Sequence, residues 1–299
     1  MGQAEDMKDA AGRRFAAILS IVACPACRQS LIHRNDSLVC SGCAARFPIR
    51  GRTILFTQPM GQDDALDSLK NRLKRLLGRF YYTVGVGVIA PTFPFAYRKH
   101  VRRFLDENAV VVDIGSGNHR IDDRVITLDG TAYDAVDIVA DLSSLPFRSE
   151  SVDGIISRSV LEHIPDLSRL LSEIKRCVRE GGYSAHLIPF LFPYHASPDD
   201  FQRLTASGAA RLFEGWDIIE QRAATGPVTL FLVCFIEFLS TVFSFGWAPL
   251  KAVEYLVLCG ILFPLKFLDV FFVGRRAFLG LAPSIFTVAR KPSDPEKSS

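Results

Sequence analysis

The sequence has little net charge, few cysteines and no long apolar leader, and each scarcity narrows the reading. Basic residues exceed acidic ones by only three over 299 residues, an excess too small to imply nucleic-acid binding by itself. The N-terminus, MGQAEDMKDAAGRRFAAILS, puts acidic residues ahead of basic ones, and its apolar run is too short for a secretory signal. Asp6 stands where a myristoylation motif wants serine or threonine. These absences place the chain in a reducing cytoplasm, where clustered cysteines more often hold metal than form disulfides. Apolar residues, by contrast, are plentiful: they make up 48% of the chain and the mean hydropathy is +0.19. That is high for a purely soluble enzyme, so a strongly apolar region must exist somewhere.

Of seven cysteines, four fall in CPACRQSLIHRNDSLVCSGC, from Cys24 to Cys43. Cys24 with Cys27, and Cys40 with Cys43, make two Cys-x-x-Cys pairs. Each pair suits one knuckle of a tetrahedral zinc site, and four thiolates leave no open coordination position. The expected metal is therefore structural, and its binding supplies folding energy to a region too small for its own core. The bland alternative is four reduced core cysteines. RFPIRGRTILF follows and reads as a short strand and turn about Gly51. The stretch 21–57 resembles the Trm112-like zinc-ribbon family in its CPxC, CxxC, FPI and glycine. In that family the ribbon is an accessory to methyltransferases.

AVVVDIGSGNH, from Ala109, joins a β-branched run to a tight glycine turn. Such a run suits a central parallel strand buried on both faces, and ligands bind at the carboxyl ends of such strands. By itself Gly-x-Gly is a weak signal. RVITLD, AVDIVADLSSLPF and VDGIISRSVLEHIPD then read as three further strands, the last running into a helix start. LSRLLSEIKRCVREGGYSAHLIPF reads as an amphipathic helix, a Gly181-Gly182 stop and a fifth strand. The ordered set resembles class I S-adenosylmethionine-dependent methyltransferases of the methyltransferase type 11 group. The resemblance implies that Asp113, Gly115 and Gly117 contact the methionine part of S-adenosyl-L-methionine and that Asp129 holds the ribose. It implies further that Asp141 and Leu142 frame the adenine and that Ser157 lines the floor. Glu162 and His163 match the family's LEH and are expected to shape that loop and cap its helix. The short GNHRIDDRV link departs from the family, which carries a full helix there. An incomplete G-x-G-x-x-G with no pyrophosphate seat disfavours a dehydrogenase.

After the fifth strand, IPFLFPYHASPDDFQRL brings His195, Asp199, Asp200 and Arg203 close together. Histidine titrates near working pH, so His195 is the candidate general base for a hydroxyl acceptor; otherwise it is a loop histidine bonded to a carboxylate such as Asp199. The stretch also resembles bacterial methyltransferases of surface-saccharide synthesis. A sixth strand is expected at Trp216–Glu220 and a seventh in SIFTVARKP.

Between those strands lie two apolar stretches, 228–248 with Glu237, and 252–273 with Glu254, Lys266, Asp269 and Pro264. The first is long enough to span a bilayer. The geometry favours a helical hairpin dipping into one leaflet, with two crossings, or a lid covering the enzyme or a dimer partner, as alternatives. ALDSLKNRLKRLLGRFYY reads as a basic amphipathic helix suited to an anionic membrane surface, or as a plain linker helix.

The expected fold is α/β: a Rossmann-like doubly wound seven-stranded methyltransferase sheet with an N-terminal zinc ribbon and a hydrophobic helical insertion between strands six and seven. The expected units are a tail at 1–20, the ribbon at 21–57, a linker at 63–100, the catalytic domain at 101–292 with its hairpin at 228–273, and a disordered tail at 293–299. The expected function is methyl transfer from S-adenosylmethionine to a membrane-proximal or lipid-linked acceptor, a sugar hydroxyl being one form. The protein would be cytoplasmic and attached to the membrane through 228–273, with nucleic acid not expected as a partner. Two alternatives stand beside it: an RNA methyltransferase with a zinc module, and a non-catalytic cofactor-binding scaffold.

Overall fold

The computed structural model describes residues 2–60, 85, 88–106, 109–194 and 199–293. The expected basic helix at 65–82, His195 and most of the C-terminal tail lie outside the described residues.

Four short strands build the ribbon: β1 (Leu31–Arg34), β2 (Ser37–Cys40), β3 (Arg46–Arg50) and β4 (Thr53–Leu55). Seven more follow: β5 (Val111–Ile114), β6 (Ile126–Asp129), β7 (Ile138–Val139), β8 (Val152–Arg158), β9 (Val178–Pro189), β10 (Asp217–Ala223) and β11 (Ser284–Arg290). They run in the order β7-β6-β5-β8-β9-β11-β10, with β10 and β11 antiparallel to their neighbours. β5 is buried at every position, as its β-branched residues require. No helix intervenes between β5 and β6, in keeping with the short GNHRIDDRV link.

The ribbon is not a separate bead. β4 adds to the catalytic sheet beside β7 in parallel, with Ile54 opposite Ile138 and Leu55 opposite Val139. Arg28 donates to the Leu145 carbonyl at 2.8 Å and to Glu173 at 2.9 Å. One core therefore holds Leu38, Phe47 and Ile54 of the ribbon together with Ile126, Ile138 and Phe147 of the catalytic sheet.

The segment expected as an N-terminal tail is instead largely helix, α1 (Gly2–Ile21). Its last turns carry Phe15, Ile18, Leu19 and Ile21 at helical spacing, and these pack on the common core. Arg14 on the same helix reaches Asp137, which also accepts two bonds from Arg120, at 2.7 and 2.9 Å, and two from Thr127, both at 3.0 Å. Burial alone would raise the Asp137 pKa, but the Arg120 guanidinium, the Thr127 N–H and Arg14 hold it below the ordinary carboxylate value.

Two further helices matter for the site. α2 (Tyr97–Arg102) precedes β5. α3 (Leu167–Cys177) follows β8 and buries Leu167, Leu170, Leu171 and Ile174 on the sheet. Glu162 and His163 do not cap α3. Asp166 does, accepting from the Arg169 N–H at 3.2 Å.

The insertion between β10 and β11 is a helical hairpin. α4 (Ala206–Leu212) comes before β10, then α5 (Pro227–Phe243) and α6 (Ala248–Leu262) follow it, and a 3-10 stretch, Phe263–Phe271, returns toward the sheet. No helix of the described residues is long and apolar enough to cross a membrane, so two full crossings are not supported. Two of the charges in the second apolar stretch are structural: Lys266 and Asp269 are both fully buried. Asp269 accepts from the Gly226, Val228 and Thr229 N–H groups at 3.2, 2.9 and 2.8 Å, capping the start of α5. A Cβ at Gly226 would collide with that carboxylate. Lys266 donates to the Val88 and Ala90 carbonyls, each at 2.7 Å.

Candidate active site

The carboxyl edge of the parallel strands gathers the residues of interest. After β5 the chain turns through Gly115 and Gly117, at φ +65° and +58°, a region glycine enters without strain. A Cβ at Gly115 would lie 2.5 Å from a Val160 methyl, so this glycine lets the loop close against the turn after β8. At Gly117 no atom of the described residues lies within 4 Å of that position. The Gly117 N–H donates to Asp129 at 2.8 Å, and the Thr131 N–H does so at 2.8 Å. The end of β6 is thereby fastened to the glycine loop, and Asp129 keeps lone pairs for a ligand.

Beside this loop lies a cavity of about 90 Å³ lined by Tyr97, Asp113, Gly115, Ser116, Gly117, His119, Ile121 and Arg158. Asp113 is 7% exposed. Burial raises its pKa to about 7, Arg158 and Arg120 opposing the rise and Asp129 adding to it. Burial, then Arg158 and Arg98, push His119 below the usual histidine value. Asp141 sits two residues beyond Val139, which is opposite Asp129 in the register, so it occupies the same edge. Its carboxylate accepts from the Ser143 N–H at 2.8 Å and the Ser143 hydroxyl at 2.7 Å. Asp141 and Leu142 do not line the cavity itself.

Ser157 is a correction. Its side chain is fully buried on the opposite face of the sheet, with its hydroxyl 2.7 Å from His186 Nδ1. His186 is opposite Ser157 on β9, and its other nitrogen lies 2.6 Å from the Ser184 hydroxyl. Burial lowers the His186 pKa to about 3, so this imidazole is a neutral structural bridge. Alternation along β8 explains the error: Ile156 is opposite Asp113 in the register, and Arg158, two residues on, shares that face. The sequence reading chose Ser157 and passed over Arg158, Tyr97 and His119. Strand parity alone was enough to find Arg158.

The loop after β9 is tied to the LEH turn. The Phe201 N–H donates to the Glu162 carbonyl at 2.8 Å, Gln202 donates to the Leu161 carbonyl at 2.9 Å, and His163 Nδ1 lies 2.5 Å from the Asp199 carbonyl. Arg203 pairs with Asp200 beside a second cavity of about 230 Å³, which Phe192, Tyr194 and Phe201 help to line.

At the other end of the sheet the four cysteine sulfurs lie within 4.8 Å of one another. Cys24 and Cys43 are 3.7 Å apart, Cys27 and Cys40 are 3.3 Å apart. Zinc–sulfur bonds of about 2.3 Å put tetrahedral thiolates about 3.8 Å apart, so the set fits a structural zinc. Arg28 and Ala44, each following the second cysteine of a pair, turn left-handed at φ 62° and 57°. The Gly42 and Cys43 N–H groups donate to the Cys40 sulfur, both at 3.4 Å, as a knuckle around a metal-bound thiolate would.

Comparison with known proteins agrees with this arrangement. Residues 84–185 match the family model described as methyltransferase domain, and residues 16–51 match the Trm112p-like protein model. The chain carries a methyltransferase domain and a Trm112-like module. No curated protein sequence matches the chain. It is similar to a solved complex of the Haloferax volcanii Trm112 methyltransferase activator with a putative methyltransferase, at 18% identity over 78% of this chain and 100% of that one, with a TM-score of 0.43. It is also similar to Haemonchus contortus phosphoethanolamine N-methyltransferase 2, at 16% identity over 78% of this chain and 61% of that one, with a TM-score of 0.46. The open Gly117 position and the buried Asp113 facing the cavity fit the cofactor of this class.

Proposed function

We propose that this methyltransferase acts on an acceptor held at a membrane surface, lipid-linked or saccharide, through a hydroxyl. The observation that carries the reading is the apolar exposure of the α5–α6 hairpin. Phe245 at its tip is 91% exposed and Trp247 beside it 64%. Phe231, Phe238, Val253 and Ile261 are exposed along its sides. An apolar surface of this extent normally marks a membrane or protein contact. At 1.5 Å per residue α5 is about 25 Å long, short of the roughly 30 Å hydrocarbon core. Four of the charges do not oppose insertion: Glu237 pairs with Lys251 at 2.5 Å, and Lys266 and Asp269 are buried. Arg275 and Arg276, exposed where the chain leaves the 3-10 stretch, suit anionic head groups.

When bound, S-adenosylmethionine supplies a methyl group on a sulfonium for in-line displacement. In this reading Asp113, Gly115 and Gly117 meet its methionine part, Asp129 the ribose, and Asp141 with Leu142 the adenine. The loop tied by Arg203 would hold the acceptor, and His195 would take the hydroxyl proton, positioning supplying much of the rate.

The test incubates purified protein and methyl-labelled cofactor with separate lipid, saccharide and RNA fractions. Label in the lipid or lipid-linked saccharide fraction is expected. Label confined to RNA would overturn the acceptor and favour the RNA alternative. The control substitution is Gly117→Val, which fills the open cradle position and adds strain at a left-handed residue; Gly115→Val would instead strike Val160 and disturb the fold.

A further inference from the structure

Charge is spread unevenly along the chain. Residues 21–57 hold five arginines, no lysine and a single acid, Asp36, a net +4 where all 299 residues together carry only +3. Arg28 is committed inside the fold, to Leu145 and Glu173. The other four, Arg34, Arg46, Arg50 and Arg52, are exposed, and among the described residues none makes an ion pair or donates a side-chain hydrogen bond. Exposed arginines elsewhere do find carboxylates: Arg179 pairs with Asp153 and Arg103 with Glu220.

Strand alternation gathers three of the four on one face. In β3 Phe47 is buried, so Arg46, Pro48 and Arg50 project from the other side. Pro48 is opposite Ser37, and Ser37 is opposite Arg34, which puts Arg34 on that face two strands away. Val39 is opposite both Arg46 and Ile32, so Ile32, 47% exposed, stands among the arginines. Arg52 follows in the turn after Gly51. A surface made for solubility intersperses both signs; this one presents guanidinium alone.

We propose that the arginine face of the ribbon docks on an anionic lipid surface, its guanidinium groups binding lipid phosphates. A planar guanidinium meets phosphate through two parallel N–H bonds. Nucleic acid carries the same phosphate, but single strands are held by aromatic rings that stack on the bases, and this face presents none. His33, on β1, is opposite Leu38 and belongs to the other face. The exposed Ile32 suits a bilayer interface, where apolar and cationic side chains insert together. This docking rests on the membrane reading above and adds a second contact to it, since the ribbon and β10 stand at opposite ends of the strand order.

Flotation of the full-length protein with neutral and with anionic phospholipid vesicles tests it, the readout being the ratio of the two partition constants. Each arginine at an anionic surface contributes roughly fivefold, so Arg46→Gln with Arg50→Gln should lose about 25-fold of the wild-type preference for anionic vesicles. Added salt should erode the wild-type preference more than that of the variant. An unchanged thermal midpoint is expected, because both side chains are exposed. A variant that keeps the full preference overturns the proposal and leaves the membrane reading standing. A variant that loses the preference, beside a hairpin-tip variant, Phe245→Ser with Trp247→Ser, that binds as the wild type does, keeps the arginine face and refutes insertion by the hairpin. Polyuridylate binding is the second arm: its loss in the arginine variant, with the vesicle preference unchanged, would give the face to nucleic acid and overturn the proposal.

Discussion

The hairpin tip offers a quantitative test of the membrane reading. The perturbation is the double substitution Phe245→Ser with Trp247→Ser. Neither side chain contributes to the core, since both are largely exposed, so the fold should survive unchanged. Fully burying one large apolar side chain is worth about 1.5–3 kcal/mol. Together the two should contribute about 3–6 kcal/mol to insertion, which is roughly a 10²- to 10⁴-fold change in partition constant. The assay is flotation with vesicles containing anionic lipid, across a range of lipid concentrations. The wild type should float with the vesicles and the double variant should stay largely in the aqueous fraction. Equal partitioning of the two would refute insertion by the tip. A wild type that ignores vesicles but forms a stable dimer through α5 and α6 would assign the apolar face to a second copy, and the membrane-bound acceptor would fall with it.

Other perturbations test the remaining framework. The four-cysteine set predicts one zinc per chain by atomic absorption, lost in Cys40→Ser, and chelation should lower the thermal midpoint because β4 is part of the catalytic sheet. Asp137→Ala should cost about 3–5 kcal/mol in chemical denaturation, since it strands Arg120 and Arg14 in a largely buried network. Because the folded pKa of Asp137 is depressed, its contribution is present above the ordinary carboxylate pKa of about 3.9 and is lost as pH falls through the folded value. The Asp113 pKa of about 7 has the opposite sense: an ammonium needs the ionised form, so cofactor affinity should fall about tenfold per unit below pH 7, and this slope should vanish in Asp113→Asn.

Much of the fold can be read directly from the chain because its signals are local. The VVDI run of β5 and the Cys-x-x-Cys pairs carry their structural meaning within a few residues. What escaped depends on contacts distant in sequence. The union of ribbon and sheet lies in the pairing of β4 with β7, more than 80 residues apart. Lys266 and Asp269 read as defects in an apolar stretch, yet they tie the hairpin to the segment before α2 and to the start of α5. At the site, Asp113, Gly115, Gly117 and Asp129 follow from strand ends. Ser157 was misplaced by one residue, because its partner His186 is visible only once β8 and β9 are paired.

The central claim is that the cleft around Asp113, the glycine loop and Asp129 binds S-adenosylmethionine. Calorimetric titration of the wild type and Asp129→Ala with S-adenosylhomocysteine tests it most directly. Saturable one-to-one binding, weakened roughly 10- to 100-fold by loss of the charged acceptor, is the predicted result. Absence of binding to the wild type, or equal affinity in the two proteins, would contradict it.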